Sequence, residues 1–358
     1  MKILIPTSFN KNPYVYQLVN ALQKKNNVEV VHTLVPWLFQ DEYHFDIVHL
    51  QWPESIISKK NFNEENIAYL DNCLNRWKKR GTRIIATIHN EIPHLNKREV
   101  AHQIYSMIYE HCDGLLHMGE ISKKIFHKNY QLDQKNTVEV VVRHGNYDCF
   151  PNSMSRSEAR KILGIPNDTL TVTSVGVIRS EAEYQLLKRF TAALKKHSGI
   201  LLQLGSINPP NGFLKRHFKR NNLIFKKRFK HCGSFVEDNK MQIYLNACDL
   251  LLIPRVESLN SGNVALGFTF GKLVMGPDYG VIGEELKATG NPVFKSISQR
   301  TINETLELAV SLLDSDISKN NRNFAMNELN WDKLADEYIS LYDRLSIPSI
   351  SPGLVKHS

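Results

Sequence analysis

The chain has 358 residues, 42% hydrophobic and 23% charged, a composition that fits a soluble globular protein with room for two domains. No apolar stretch reaches the roughly 18 residues of a membrane-spanning helix, and the N-terminal run MKILIPTSFNKNP is too short in its apolar part for a secretory signal. Five scattered cysteines form no CxxC pair, which argues against a disulfide framework or a zinc site and suits a reducing cytoplasm, while a net charge of +9 favours an anionic partner.

Residues 2–6 (KILIP) predict a first strand. A polar loop, 7–12, leads to a helix opened by Pro13, a first-turn position where the missing N–H costs little. Strands are expected at 28–32 and at 46–50 (DIVHL), the second running into Gln51-Trp52-Pro53-Glu54. A helix-prone segment at 63–80 closes at Gly81, and a fourth strand, 83–88 (RIIATI), ends at His89-Asn90-Glu91. Helices at 97–111 and 121–129 and strands at 115–117 and 138–142 complete this half. Near-continuous apolar strands alternating with helices predict a parallel sheet covered on both faces. The polar stretch 143–157 reads as an interdomain connection; within it Ser155 and Glu158 have capping-box spacing before a helix ending at Gly164.

The pattern then restarts. A strand at 171–175 ends in Gly176-Val177-Ile178-Arg179, a helix covers 181–196, and a strand at 200–204 ends in Gly205-Ser206. A strongly basic segment, 213–231, contains a short apolar piece at 223–225, and a helix follows at 238–247. Residues 248–283 (CDLLLIPRVESLNSGNVALGFTFGKLVMGPDYGVIG) read as strand, polar loop, helix, strand, polar loop. A small strand at 292–294, an amphipathic helix at 302–313 and a periodic segment at 331–342 precede a polar tail from 346. The fold class expected is α/β, with two doubly wound parallel-sheet (Rossmann-like) domains, 1–150 and 151–330, facing a cleft.

Ligands of such sheets sit at loops leaving the carboxyl ends of strands. Here those loops are 8–12 (with Asn10), 51–54 (Trp52, Glu54), 89–94 (His89, Asn90, Glu91, His94), 176–180, 257–263 and 276–280. Arg179 suits a diphosphate, because a planar guanidinium binds two oxygens at once; the bland reading is a solvated helix-start arginine. Asn260, Ser261, Gly262 and Asn263 open a helix whose N–H groups favour a phosphate or ribose, against an ordinary N-cap. Glu257 is either an acceptor for sugar hydroxyls or a plain surface glutamate. His89 suits proton donation near neutral pH, although any one of 14 histidines is usually structural. Trp52 stacks on a sugar or plugs the core, and the core is the preferred reading. Asp314-Ser315-Asp316 matches a DxD pattern but closes a helix away from these loops, and reads as a surface accident. No HExxH, GxSxG, GxxxxGK[ST] or GxGxxG motif is present. The basic run 213–231, with interleaved Phe, can contact an anionic membrane surface or simply be a solvated face; with no accompanying motif, nucleic acid is not expected.

These residues resemble the GT-B-fold glycosyltransferases of the large group 1, nucleotide-sugar-dependent class. The similarity is carried by Gly176-x-x-Arg179, CDLLLIP (248–254), the helix ending FGK (270–272) and GPDYGVIGE (276–284). Bacterial capsular and exopolysaccharide enzymes look most similar, through VHLQWPE (48–54), TIHNEIPH (87–94) and the Asn260-Ser261-Gly262 loop. The resemblance implies a nucleotide diphosphate sugar held by domain 151–330, a glycan or lipid-linked acceptor held by domain 1–150, no cofactor and no metal. It also implies a helix, 331–345, crossing back to the first domain before the tail 346–358. Implied diphosphate ligands are Gly176, Arg179 and Asn260–Asn263, with His89 and Glu257 catalytic and Asn10, Trp52, Glu54, Asn90, Glu91 and His94 on the acceptor side. The expected activity is hexosyl transfer in the cytoplasm, with peripheral contact at the inner membrane face. The rival reading is a non-catalytic nucleotide- or sugar-binding scaffold of the same fold; an RNA-binding protein is a third, resting on the basic run alone. The class often carries two glutamates eight positions apart, but Glu257 has Ala265 at that offset, and counting back from Phe270-Gly271 gives Ser258 and Leu266. It also often has a lysine soon after the arginine, whereas here none occurs before Lys188.

Overall fold

The structure, a computed structural model, describes residues 1–7, 12–33, 43–52, 64–91, 98–131, 137–207, 227–233 and 235–346, apart from the side chains of 66 and 98–101. The chain divides into unit 1, Met1–Arg143 with Trp331–Ser358, and unit 2, His144–Asn330.

Unit 1 is built from β1 (Lys2–Ile5), α1 (Pro13–Gln23), β2 (Glu29–His32), β3 (Ile47–Leu50), α2 (Glu64–Lys79), β4 (Arg83–Thr87), α3 (Arg98–Glu110), β5 (Gly114–His117), α4 (Glu120–Asn129) and β6 (Val138–Val141). Unit 2 comprises α5 (Arg156–Leu163), β7 (Thr171–Val175), α6 (Glu181–Ala193), β8 (Ile200–Leu204), β9 (Phe229–His231), α7 (Met241–Ala247), β10 (Leu250–Leu252), α8 (Gly262–Thr269), β11 (Leu273–Pro277), α9 (Gly280–Ala288), β12 (Val293–Phe294), α10 (Gln299–Ser311) and α11 (Ile317–Asn327). The last helix, α12 (Trp331–Ser346), returns to unit 1.

Each sheet has six strands, all in parallel register, in the orders β2-β1-β3-β4-β5-β6 and β12-β11-β10-β7-β8-β9. The central strands β3, β5 and β10 are buried along their whole length, as expected where helices cover both faces. In unit 2 the side chains alternate between two cores. Leu250 and Leu252 face the layer of α6 and α10, with Phe190 and Leu306. Leu251 and Ile253 face the layer of α7 and α8, with Leu245 and Phe268. Among the described residues no helix is long and apolar enough to cross a membrane.

The Ser155–Glu158 capping box forms, and α5 ends at Gly164 in the left-handed conformation at φ 65°. Residues 144–150, placed with the first domain by sequence, pack in unit 2. Asn146 donates to Ala325 O at 3.0 Å, the Tyr147 N–H donates to Thr269 Oγ1 at 3.0 Å, and Phe150 joins the α8 core. Three further elements were not anticipated: α9, α11, and β9 inside the basic run. Of that run, 213–226 lies outside the described residues.

Candidate functional site

In unit 2 the strand order reverses direction between β7 and β10, the switch point where ligands of open α/β sheets bind. Three segments converge there: 176–180 after β7, 253–261 after β10, and the start of α8. Gly176 has φ 104°, and a Cβ on it would lie 2.5 Å from Nη2 of Arg255. Only glycine therefore fits, on backbone conformation and on space alike. Arg255 is buried; its Nη1 donates to Val177 O at 2.9 Å and to Glu183 Oε1 at 2.8 Å. Glu183 is buried too, and its other oxygen accepts the backbone N–H of Arg179 at 2.7 Å. Ser180 caps α6 by accepting from the Glu183 N–H. The glutamate at this capping-box position thus turns to Arg255 and Arg179, and it fixes the path of the loop.

Arg179 itself is exposed. Packing around its stem withdraws some hydration and lowers its pKa from the ordinary value; the nearby Arg255 adds to this and Glu183 opposes it. Accessibility decides its character, since an arginine on the surface remains a cation. The cluster of Arg179, Arg255 and Glu183 carries one net positive charge, with Arg179 as its accessible member.

Ser261 is the N-cap of α8, its side chain accepting from the Asn263 N–H. Gly262 is where the helix start meets its neighbours: a Cβ would lie 2.4 Å from the Tyr147 hydroxyl and 2.8 Å from His144 Nε2. Those two rings stack with centroids 5.6 Å apart. Nδ1 of His144 bonds Gly145 O at 2.7 Å, so in the neutral ring Nε2 is the acceptor. Loss of hydration holds this histidine down at about 4, against the pull of the Gly145 carbonyl, although part of its surface remains accessible. Asn263 spends its side-chain N–H on Val175 O at 2.7 Å, tying α8 to the end of β7. Asn260 is half-buried beside Leu259, whose carbonyl accepts the Val281 N–H at 2.8 Å. Gly280, at φ 57°, permits that approach. Glu257 is exposed in the 256–257 turn and makes no ion pair among the described residues. Ala265 and Leu266, the two positions where a second glutamate was sought, are both buried in the α8 core.

In unit 1 the corresponding strand ends carry a polar chain set in aromatic rings. His89, just past β4, stacks on Trp52 with centroids 4.1 Å apart and meets the edge of Tyr14 at 5.2 Å. Its Nε2 bonds Gln51 Oε1 at 2.9 Å, and Gln51 Nε2 bonds His49 Nε2 at 3.1 Å. His49 also contacts Thr87 Oγ1 at 2.8 Å and, through Nδ1, the Tyr342 hydroxyl at 2.7 Å. Fully buried, His49 is pushed down to about 3 by loss of hydration and is neutral. Trp52 is half-buried against His89, not a core plug as sequence preferred. Asn90 is half-buried beside His89 in sequence. Glu91 turns the other way: its carboxylate takes Asn129 Nδ2 at 3.5 Å and its carbonyl the Tyr130 hydroxyl at 2.7 Å, so it braces the end of α4. Asn10, Glu54 and His94 lie outside the described residues.

The functional candidates that sequence missed are Arg255, Glu183, His144 and Tyr147 in unit 2 and Tyr342 in unit 1, whereas Gln51 lies in a loop the sequence singles out and His49 ranks there below His89. Only the Ser180-x-x-Glu183 spacing carries a local signal, that of a helix cap. Asp314, Ser315 and Asp316 are exposed where α10 gives way to α11. A cavity of about 550 Å³ in unit 2, lined in part by Asp168, His197, Asp249 and Lys272, opens at the amino ends of β7, β10 and β11. It is therefore remote from the strand ends where the polar cluster sits.

No protein-family model matches the sequence, and no curated protein matches it either. Solved structures do. Sucrose-phosphate synthase from Thermosynechococcus elongatus is similar with a TM-score of 0.71 at 14% identity, over 96% of this chain and 99% of that one. The catalytic domain of starch synthase IV from Arabidopsis thaliana, bound to ADP and acarbose, gives 0.67 at 13% identity over 96% and 99%. Anabaena Alr3699/HepE in complex with UDP-glucose gives 0.68 at 12% identity over 96% and 100%. Likeness at these identities is likeness of fold, and the fold is GT-B, with its two doubly wound α/β sheets.

Proposed function

We propose that the protein is a glycosyltransferase that moves a hexose from a nucleoside diphosphate sugar to a hydroxyl of a growing, lipid-linked surface glycan. The observation that carries this reading is the switch-point cluster of unit 2. One accessible guanidinium, Arg179, is held on a loop braced by the buried Arg255–Glu183 pair, beside the start of α8. Such a site suits a departing diphosphate, whose negative charge grows as the sugar leaves. The cocrystallised ligands of structures with this fold, UDP-glucose and ADP, are of that chemical class. Unit 1 is proposed to hold the acceptor, with His89 acting on the reacting groups and Glu257 of unit 2 orienting donor hydroxyls. Fixed cationic and backbone groups would meet the diphosphate charge, so transfer is proposed to need no resident metal. Basic residues of the 213–231 run are proposed to hold the protein at an anionic membrane face.

A thermal-shift screen against UDP, ADP, GDP and their hexose conjugates tests the donor. A ligand at a hundred times its Kd raises apparent stability by about 2.7 kcal/mol, and absence of any shift across the set removes the reading. Donor hydrolysis or transfer that survives excess chelator is expected; its loss on chelation overturns the metal-free part. One observation favours a second reading, a scaffold that binds nucleotide without transfer: Ala265 and Leu266 are buried apolar residues where a second carboxylate would act. Nucleotide binding with neither hydrolysis nor transfer to any acceptor extract would decide for the scaffold.

A further inference from the structure

We propose that His49, Gln51 and Tyr342 form a relay that sets which ring nitrogen of His89 carries the proton, making these three the positioning residues of the His89 side chain. The inference rests, for its consequence in transfer, on the role given to His89 above; the relay itself is read from geometry alone.

An amide oxygen only accepts and an amide nitrogen only donates. With Oε1 of Gln51 at 2.9 Å from His89 Nε2, that nitrogen of His89 must carry a hydrogen. With Nε2 of Gln51 at 3.1 Å from His49 Nε2, the nitrogen of His49 must be a lone pair. The Thr87 hydroxyl, 2.8 Å away, can add its hydrogen to the same lone pair. Burial keeps His49 neutral, so its one proton sits on Nδ1 and is given to the Tyr342 hydroxyl at 2.7 Å. The chain of donors then runs His89 → Gln51 → His49 → Tyr342, and Nδ1 of His89 is left as an acceptor. Turning the Gln51 amide over reverses every step: Tyr342 donates to His49, His49 donates to Gln51, Gln51 donates to His89, and Nδ1 of His89 becomes an N–H. Because one amide supplies both middle contacts, the two ends of the chain change direction together. A fully buried His49 and a nearly fully buried Gln51 leave water no place to repair a mismatch. The direction of one hydroxyl on α12 is therefore coupled, through three hydrogen bonds, to the chemistry of a ring past the end of β4.

Tyr342→Phe breaks the balance. In the observed direction it strands the Nδ1–H of His49 without an acceptor, whereas in the reversed direction it leaves only a bare lone pair. Unpaired buried N–H groups are the rarer and costlier of the two. The variant should drive the relay into reverse.

The test is long-range ¹H–¹⁵N correlation spectroscopy of the ¹⁵N-histidine-labelled full chain, with His89 assigned by its disappearance in His89→Gln. In the parent protein His89 should be protonated at Nε2, and in Tyr342→Phe predominantly at Nδ1. Gln51→Met, which removes the middle of the chain, should give mixed tautomers at His89, and adding Tyr342→Phe to it should change nothing further. An unaltered His89 tautomer in both single variants overturns the relay. If turnover of a donor is measurable, Tyr342→Phe should lower kcat by about 100-fold with an unchanged KM for donor, in the range of general acid–base effects. A tautomer that switches while kcat stays constant upholds the relay and overturns the part given to His89 in transfer. The two failures are thus read by different instruments.

Discussion

Arg179 and Glu183 sit four residues apart and divide the labour of the switch-point cluster between them. The first is accessible and charged, the second buried and bonded to the Arg179 backbone and to Arg255. Arg179→Ala is expected to lower donor turnover by about 10²–10³-fold, the usual cost of removing one preorganised stabiliser of developing charge, with the denaturation midpoint unmoved. Full activity in that variant would remove Arg179 from the site. Glu183→Gln should act oppositely. It leaves Arg255 buried without its counter-charge, a change that costs about 3–5 kcal/mol and should show as a lowered denaturant midpoint. Replacing both partners, Glu183→Gln with Arg255→Met, should recover much of that loss, because no lone charge then stays buried; a double variant as unstable as the single one would show that the pair is not what holds the loop. Residues of this second kind are hard to find by sequence. Glu183 looks like a cap and Arg255 like a loop cation until the fold brings 183 beside 255.

Helix α8 is the element on which the switch-point cluster turns, and its start is crowded from outside. Gly262→Ala would press a methyl group into the Tyr147 hydroxyl and His144 Nε2. Nucleoside diphosphate binding is therefore expected to weaken by about tenfold or more, the equivalent of roughly 1.4 kcal/mol, without loss of the α8 core; a variant with unchanged Kd would place the ligand elsewhere. Legibility differed sharply among elements. Strands such as IVHL and LLLIP declared themselves because parallel strands buried on both faces are apolar throughout. The Ser155 capping box and the Ser261 N-cap were visible because caps depend on residue types at short spacing. By contrast α11 (ISKNNRNFAMN) has little apolar periodicity. It stays in place through Phe324 edge-on to Phe268, Asn321 donating to Lys272 O and Arg322 donating to Thr269 O. Those partners lie 49–56 positions earlier, beyond any local pattern. The stretch 144–150 was misread for the same reason: its polar residues are bonded to α8 and α11, so a linker composition conceals a packed segment. Residues at strand ends could be shortlisted from the sequence, but which of them meet could not. Glu91 and His89 are two positions apart, yet one bonds the end of α4 and the other Gln51.

Across the molecule, the two six-stranded sheets place their polar clusters by one rule, at the carboxyl ends of parallel strands, and each unit holds histidine whose pKa is lowered by loss of hydration. Among the described residues unit 1 holds two fully buried histidines, His49 at about 3 and His117 at about 4, each pushed down chiefly by loss of hydration, with Glu139 opposing at His117. Their folded values lie below the ordinary 6.5 of an unfolded chain, so the unfolded state takes up protons first as pH falls. Stability of unit 1 is therefore full above about pH 6.5 and declines below it, by about 1.4 kcal/mol per pH unit for each histidine. Melting curves between pH 7.5 and 5 should show this slope, and His49→Gln should reduce it; a pH-independent melting temperature across that window would contradict the buried neutral state. The return of α12 to unit 1 has a further consequence for how the protein is made. Trp331 and Tyr338 close around Tyr14, and Tyr342 completes the His49 bonds, so Tyr14 waits for a hydroxyl partner made 324 residues later. All of unit 2 is synthesised in the interval, with every part of its sheet contiguous in the chain. The nascent protein therefore completes its second half before its first, and until α12 emerges the apolar side of α1 is a surface for a chaperone to cover.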